Sequence, residues 1–110
     1  MKKTYEVNVQ EPYFTHIKNG IKKVEGRLNK SKFAEMNIGD EILLNEEVKL
    51  EITNKTIYKT FRDMISFEGI KNVIPDAKSL DEAEAVYYKF YSKEDESNFG
   101  VSAIEVKVLI

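Results

Sequence analysis

The 110-residue chain predicts an α+β fold, a small mixed and mostly antiparallel β-barrel flanked by about three helices. Three observations carry this. Five short stretches alternate apolar and polar residues with a period of two, the signature of half-buried strands. Helical patterns are few and do not fall regularly between the strands, which argues against a parallel βαβ sheet. At 42% hydrophobic and 33% charged residues, the composition is that of an ordinary globular protein, and residues 1–110 are read as one domain.

The elements follow in order. Tyr5-Glu6-Val7-Asn8-Val9 alternates and reads as a strand. Pro12 then opens a short helix with Tyr13, Phe14 and Ile17 on one side, stopped by Asn19-Gly20, where glycine accepts a left-handed conformation. Residues 23–29 alternate again. Residues 31–36 form a turn or a single helical turn, and Asn37-Ile38-Gly39-Asp40 leads tightly into a strand over 41–44. Asn45-Glu46-Glu47 turns the chain into a clean period-two strand over Val48 to Thr53, with a continuation to Tyr58 left open. Thr60 caps a helix with Phe61, Met64 and Ile65 inside and Gly69 as its stop. Residues 70–74 add a turn before Pro75. Ser79-Leu80-Asp81-Glu82 is a capping box, and its helix runs to about Tyr91 on a stripe of Leu80, Ala83, Val86, Tyr87, Phe90 and Tyr91. Residues 99–109 close the chain as a strand.

Several functional classes drop out at once. No apolar run approaches the roughly 18 residues of a membrane helix, and MKKTYEVNVQ has no apolar core that would make it a signal peptide. The expectation is a cytoplasmic monomer. Without cysteine, and with His16 as the one histidine, there is no thiolate or zinc ligand set, and no metal or cofactor is expected. No phosphate-binding glycine loop and no G-x-S-x-G nucleophile elbow occurs.

Charge is polarised along the chain. Between Lys18 and Lys32 lie six cations and one anion, Glu25; between Asp81 and Glu96 lie six anions and two lysines. A basic face on a body of net charge −2 can bind a phosphate backbone, but charge alone favours a pair of solvated faces. Within the basic stretch, GIKKVEGR stands out. The chain has two arginines, Arg27 and Arg62, against fifteen lysines, so an arginine in a strand calls for a specific explanation. The strand period puts Glu25 and Arg27 on one face and Val24, Gly26 and Leu28 on the other. Lys22 lies where helix gives way to strand, and the period leaves its direction open. From spacing alone, the stretch carries an edge-strand ion pair, Glu25–Arg27 or Lys23–Glu25, that discourages aggregation. The second constellation is Tyr87-Tyr88-Lys89-Phe90-Tyr91. Tyr87 and Phe90 are expected inside and Tyr88 outside, with the Tyr91 hydroxyl at the rim of a cleft; aromatics beside a basic strand can stack bases, but core packing is the expected role for most of them.

The motif Gly20-x-Lys22-x-x-Glu25-x-Arg27, with Ile38-Gly39-Asp40 about a dozen residues on, a helix ending VYYKFY and the last strand FGVSAIEV, resembles the ASCH domain family, a branch of the PUA-like superfamily. The resemblance covers nearly the whole chain and is to the small stand-alone bacterial and archaeal type. It implies a PUA-like barrel with a cleft in which Lys22, Glu25 and Arg27 contact a ligand, and it implies binding of RNA or a nucleotide-like ligand. In family members that hydrolyse acetylated cytidine, a threonine follows the motif lysine by three residues. Glu25 stands there in this chain, and a carboxylate is a poor substitute for an activated hydroxyl, so that activity is not carried over. Three readings are thus expected to compete. The first is a binding module using Lys22, Glu25, Arg27, Tyr91 and Tyr88. The second is a small hydrolase acting on RNA or a modified nucleoside through Lys22 and Glu25. The third is an interaction domain without a ligand cleft.

Overall fold

Alternating segments become strands where their apolar sides find a partner layer. The computed structural model describes residues 1–110, and in it β1 (Thr4–Val7), β2 (Val24–Leu28), β3 (Glu41–Leu44), β4 (Val48–Tyr58) and β5 (Val101–Val108) form one curled sheet in the order β1-β3-β4-β5-β2. Only the β1–β3 pair is parallel. The β3–β4 hairpin turns through Asn45 and Glu46, both at positive φ (51° and 58°). The Asn45 side chain accepts from the Val9 amide (2.8 Å) and donates to the Val9 carbonyl (2.9 Å). That clamp fixes the chain after β1, which later forms one wall of the site. β4 is interrupted by a bulge between Ile52 and Asn54, which increases the curl of the sheet.

The curled sheet has a core on each face. On one side Val24, Leu28, Val101 and Ala103 pack against Phe61, Met64 and Ile65 of α3 (Phe61–Glu68), Val73 of α4 (Ile70–Val73), and Ala83 and Tyr87 of α5 (Leu80–Tyr88). On the other, Val7, Ile42, Leu44, Leu50, Ile52 and Ile104 enclose Ile17 of α1 (Tyr13–Lys18) and Met36, which follows the single turn α2 (Lys32–Glu35). β5 lies between β4 and β2, and its first four residues are all buried. Strict alternation fails there because both faces are covered. No helix is long and apolar enough to cross a membrane.

There are six helices, two of them single turns, where the sequence predicts about three. α6 (Lys93–Phe99) lies where the periodicity predicts only a loop and the start of the last strand. Its start signal is present, since the Ser92 hydroxyl accepts from the Asp95 amide at 3.0 Å. Its apolar stripe is not, because the residue it buries is Glu96. α5 ends at Tyr88 rather than near Tyr91, and residues 89–91 tighten into a turn on the carbonyls of Val86 and Tyr87. Ser79 caps α5 through the Glu82 amide (3.1 Å).

Glu96 ties α6 to the helices that frame the site. Its carboxylate accepts from the buried Phe61 amide at 2.7 Å and from the Tyr88 hydroxyl at 2.8 Å. Replacing it with alanine leaves a buried amide unpaired at the start of α3, at a cost of about 2 kcal/mol. Urea unfolding of Glu96→Ala is expected to show that loss with an unchanged m-value.

Candidate functional site

Lys22 is carried inward by the end of α1. Gly20 turns the chain at φ +76°, and the amides of Ile21 and Lys22 both donate back to the His16 carbonyl (2.9 and 3.0 Å). Lys23 is then held between α4 and β5, its amide on the Asn72 carbonyl and its carbonyl under the Val106 amide, each at 2.9 Å. Between these anchors the Lys22 side chain has one direction left, into the protein, where the residue is 2% exposed. Its ammonium donates to the carbonyls of Val24 (2.7 Å) and Val73 (2.5 Å) and lies 3.4 Å from Glu25 Oε1. Burial pulls its pKa below the ordinary lysine value, and the neighbouring Glu25 works against that pull.

Glu25 and Arg27 lie opposite Ile104 and Ser102 of β5, which places both side chains on one face of β2. They are bonded to each other, Arg27 Nε donating to Glu25 Oε2 at 3.0 Å. Glu25 therefore bridges two cations. Arg27 also donates from Nη2 to the Asn8 carbonyl (3.0 Å), and its guanidinium lies 4.9 Å from the centre of the Phe33 ring. Burial weighs against its charge, but Glu25 and the phenols of Tyr91 and Tyr87 outweigh it, and the pKa is raised. Five guanidinium N–H groups less the two so used leave three for other partners.

β2 is an edge strand, and the edge that faces away from β5 opens onto a cavity of about 240 Å³. Residues 23 and 29 bond to β5, so the antiparallel alternation turns the N–H and C=O of Gly26 toward the free edge. Lys22, Glu25, Gly26 and Arg27 form one wall, Asn8 to Gln10 and Tyr13 a second, and Tyr87, Phe90 and Tyr91 of the α5 end the third. Phe61 orders the aromatic wall, stacking on Tyr87 (centroids 4.5 Å apart) and on Tyr91 (5.3 Å). Gly26 is required by this packing. A Cβ there would come within 2.5 Å of the Met64 methyl and 2.9 Å of the Tyr87 hydroxyl.

The structure thus brings four of the five expected residues, Lys22, Glu25, Arg27 and Tyr91, to one cavity. Tyr88 does not line it; its hydroxyl is bonded to Glu96 and its ring meets Phe61 edge-on. Phe90, expected inside, is half exposed at the cavity mouth. Tyr13 and Tyr87 line the cavity but read from sequence as core residues, since nothing in a helical stripe separates a phenol that packs from one that packs and also presents its hydroxyl. No group of three or more histidine, cysteine or carboxylate side chains gathers at a spacing suited to a metal. Arg62, the second arginine, makes surface ion pairs with Asp81 (2.8 Å) and Glu84 (3.2 Å).

A curled five-stranded half-barrel with its helices beside one open strand edge defines the PUA-like class. The chain belongs to the ASCH domain family, whose model matches residues 7–110. It is similar to the hypothetical protein PH0355, known from a crystal structure, at 38% identity and a TM-score of 0.93, over 96% of this chain and 99% of that one. It is also similar to protein PF0455 from Pyrococcus furiosus, known from a solution NMR structure, at 37% identity and a TM-score of 0.83, over 96% and 97% of the two chains. Among curated proteins none matches.

Two substitutions test this geometry. Lys22→Met removes the ammonium but leaves the two carbonyls buried, and is expected to cost about 2–3 kcal/mol in urea unfolding. Gly26→Ala is expected to lower stability by about 1–3 kcal/mol, because the Met64 methyl and the stacked Tyr87 ring must both move to admit one methyl group.

Proposed function

We propose that the chain, acting as one unit, binds RNA or a nucleotide-like ligand in the cavity along the free edge of β2. The observation that carries this reading is the convergence of a guanidinium with unused donors, a carboxylate and an aromatic wall on one opening. Arg27 supplies the cationic contact, Glu25 accepts from a base or ribose donor, and Tyr91 with Phe90 offers surface for stacking. Lys22 serves the ligand indirectly. Its ammonium is directed at two carbonyls and Glu25, so it holds the carboxylate in place and does not itself reach for phosphate. Tyr88 is taken up by Glu96 and has no part. The reading is of a monomer in the cytoplasm.

A hydrolase would need Lys22 or Glu25 as a free base. The ammonium is enclosed by acceptors, and the carboxylate is shared between two cations, an arrangement suited to holding a ligand. An interaction domain without a cleft does not account for a cavity at this edge.

Fluorescence anisotropy with labelled single-stranded RNA octamers tests the proposal. Arg27→Ala is expected to weaken binding about tenfold or more, while Lys93→Ala, whose ammonium lies over Tyr88 outside the cavity, changes it less than about twofold. Salt dependence identifies the contact. If Arg27 meets a phosphate, its loss reduces the slope of log K against log salt by about 0.7; if it meets a base, the slope is unchanged. Equal affinity of wild type and Arg27→Ala would overturn the assignment.

A further inference from the structure

Two buried side-chain oxygens in the molecule lack a hydrogen-bond partner, the hydroxyls of Tyr5 and Tyr87. Tyr5 does not line the cavity and Tyr87 does. Tyr87 is 5% exposed, so its hydroxyl is nearly cut off from bulk water, and an unpaired polar group in that position destabilises the fold. Nor is it free to turn aside. The ring is held flat against Phe61 at 10° between planes, and the hydroxyl lies directly over Gly26, where even a Cβ would crowd it.

We propose that the Tyr87 hydroxyl is the group with which the cavity reads its ligand. It donates a hydrogen bond to a carbonyl oxygen or ring nitrogen on the edge of a neutral, planar heterocycle of the nucleobase kind, seated beside Gly26. Three features select that class. The backbone N–H and C=O of Gly26 face the same free edge and offer a flat donor and acceptor pair of the sort a heterocycle edge matches. The Glu25 carboxylate in the same wall accepts from a ring N–H and repels an anion. Tyr91 and Phe90 supply the planar surface. Burial, with Glu25 second, raises the Tyr87 pKa well above that of an ordinary phenol, so the group stays protonated and acts as a donor at any physiological pH. Phosphates of a bound strand then lie at the mouth, on the side of Arg27. The inference rests on the reading of the cavity as an RNA or nucleotide site, and it adds a residue and a ligand moiety to that reading.

Tyr87→Phe separates this role from a structural one, because the two predict opposite changes in stability. The variant removes only the unpaired oxygen. It is expected to raise Tm by about 4 °C while weakening binding of labelled octamers of uridine, cytidine or adenosine about tenfold. Binding of an abasic octamer with the same sugar–phosphate chain is expected to be unchanged. Tyr58→Phe, which loses the bond from its hydroxyl to Glu68 at 2.5 Å outside the cavity, is expected to lower Tm and leave every affinity as it was. A fall in Tm for Tyr87→Phe, unchanged affinity for all three base-bearing octamers, or an equal loss for the abasic strand would each overturn the inference and leave the RNA reading standing. If the wild type binds none of the strands, both fall together.

Discussion

The ammonium of Lys22 is a full positive charge held out of water, and such a charge is tolerated only where acceptors replace its hydration. Here they come from two separate parts of the chain: the carbonyl of Val24 and the carboxylate of Glu25 in β2, and the carbonyl of Val73 in α4. Lys22 itself arrives from the end of α1 through the Gly20 turn. One side chain therefore fastens two helices to an edge strand. Arg27 extends the same chain of contacts, taking Glu25 on one side and the Asn8 carbonyl on the other. β1 and β2 are the two ends of the sheet, so this guanidinium spans the gap that a closed barrel would fill with strand pairing. Lys32 makes a second such link, donating to the Glu6 carbonyl. The cavity is what remains of the opening after these side chains have bridged it.

The same geometry explains why an arginine appears in a chain that otherwise uses lysine. A lysine at position 27 would offer one compact ammonium, able to satisfy Glu25 or Asn8 but poorly placed to do both and still face a ligand. The planar fork divides its donors between Glu25 and the Asn8 carbonyl and leaves three N–H groups over, with the Phe33 ring centre 4.9 Å away. Arg62 makes the contrast. It is about half exposed and meets Asp81 and Glu84 in solvent, where an ion pair contributes little. Much of the basic stretch around Arg27 is likewise used within the fold: Lys18 pairs with Glu47, and Lys30 lies 5.0 Å from the Phe99 ring centre. The sequence-level excess of positive charge therefore overstates the cationic surface that faces a partner.

Period two located all five strands because each has at least one solvated face along part of its length. It also placed Glu25 and Arg27 on a shared face correctly, since that conclusion needs only local geometry. What it could not supply was depth. An ion pair on an edge strand is the reading that spacing favours, and the pair does exist on an edge strand; that the edge opens into a cavity follows from where α5 and the 8–13 segment pack, which no local pattern encodes. The direction of Lys22 was open for the same reason, being set by the His16 carbonyl and by α4. α6 went unseen because its buried residue is a glutamate, which serves as a hydrogen-bond acceptor for Phe61 and Tyr88 and so leaves no apolar stripe to detect. α5 ends earlier than its pattern suggests because Phe90 and Tyr91 continue the apolar stripe while the chain tightens into a turn on the Val86 and Tyr87 carbonyls.

The walls of this cavity are built from features that a sequence selected for stability alone would avoid. A buried ion pair can often be replaced as a whole by well-packed apolar side chains without loss. A glycine inside a strand forgoes side-chain packing, and a sealed phenol without a partner loses its hydration for nothing in return. Each of these lies in Lys22, Gly26 and Tyr87, within one opening. Elsewhere, the Tyr5 hydroxyl excepted, buried polar side chains are satisfied: Glu96 has two donors, Asp40 accepts from the amides of Lys3 and Asn37, and Ser102 donates to Asn29. Costs scattered through a fold signal imperfect packing; costs gathered around one concavity are a different matter, because a ligand that supplies the missing partners would recover them on binding. The unpaired hydroxyl over Gly26 is the clearest of these. Its cost is borne by the free protein and is relieved only by a group that can accept a hydrogen bond at the free edge of β2.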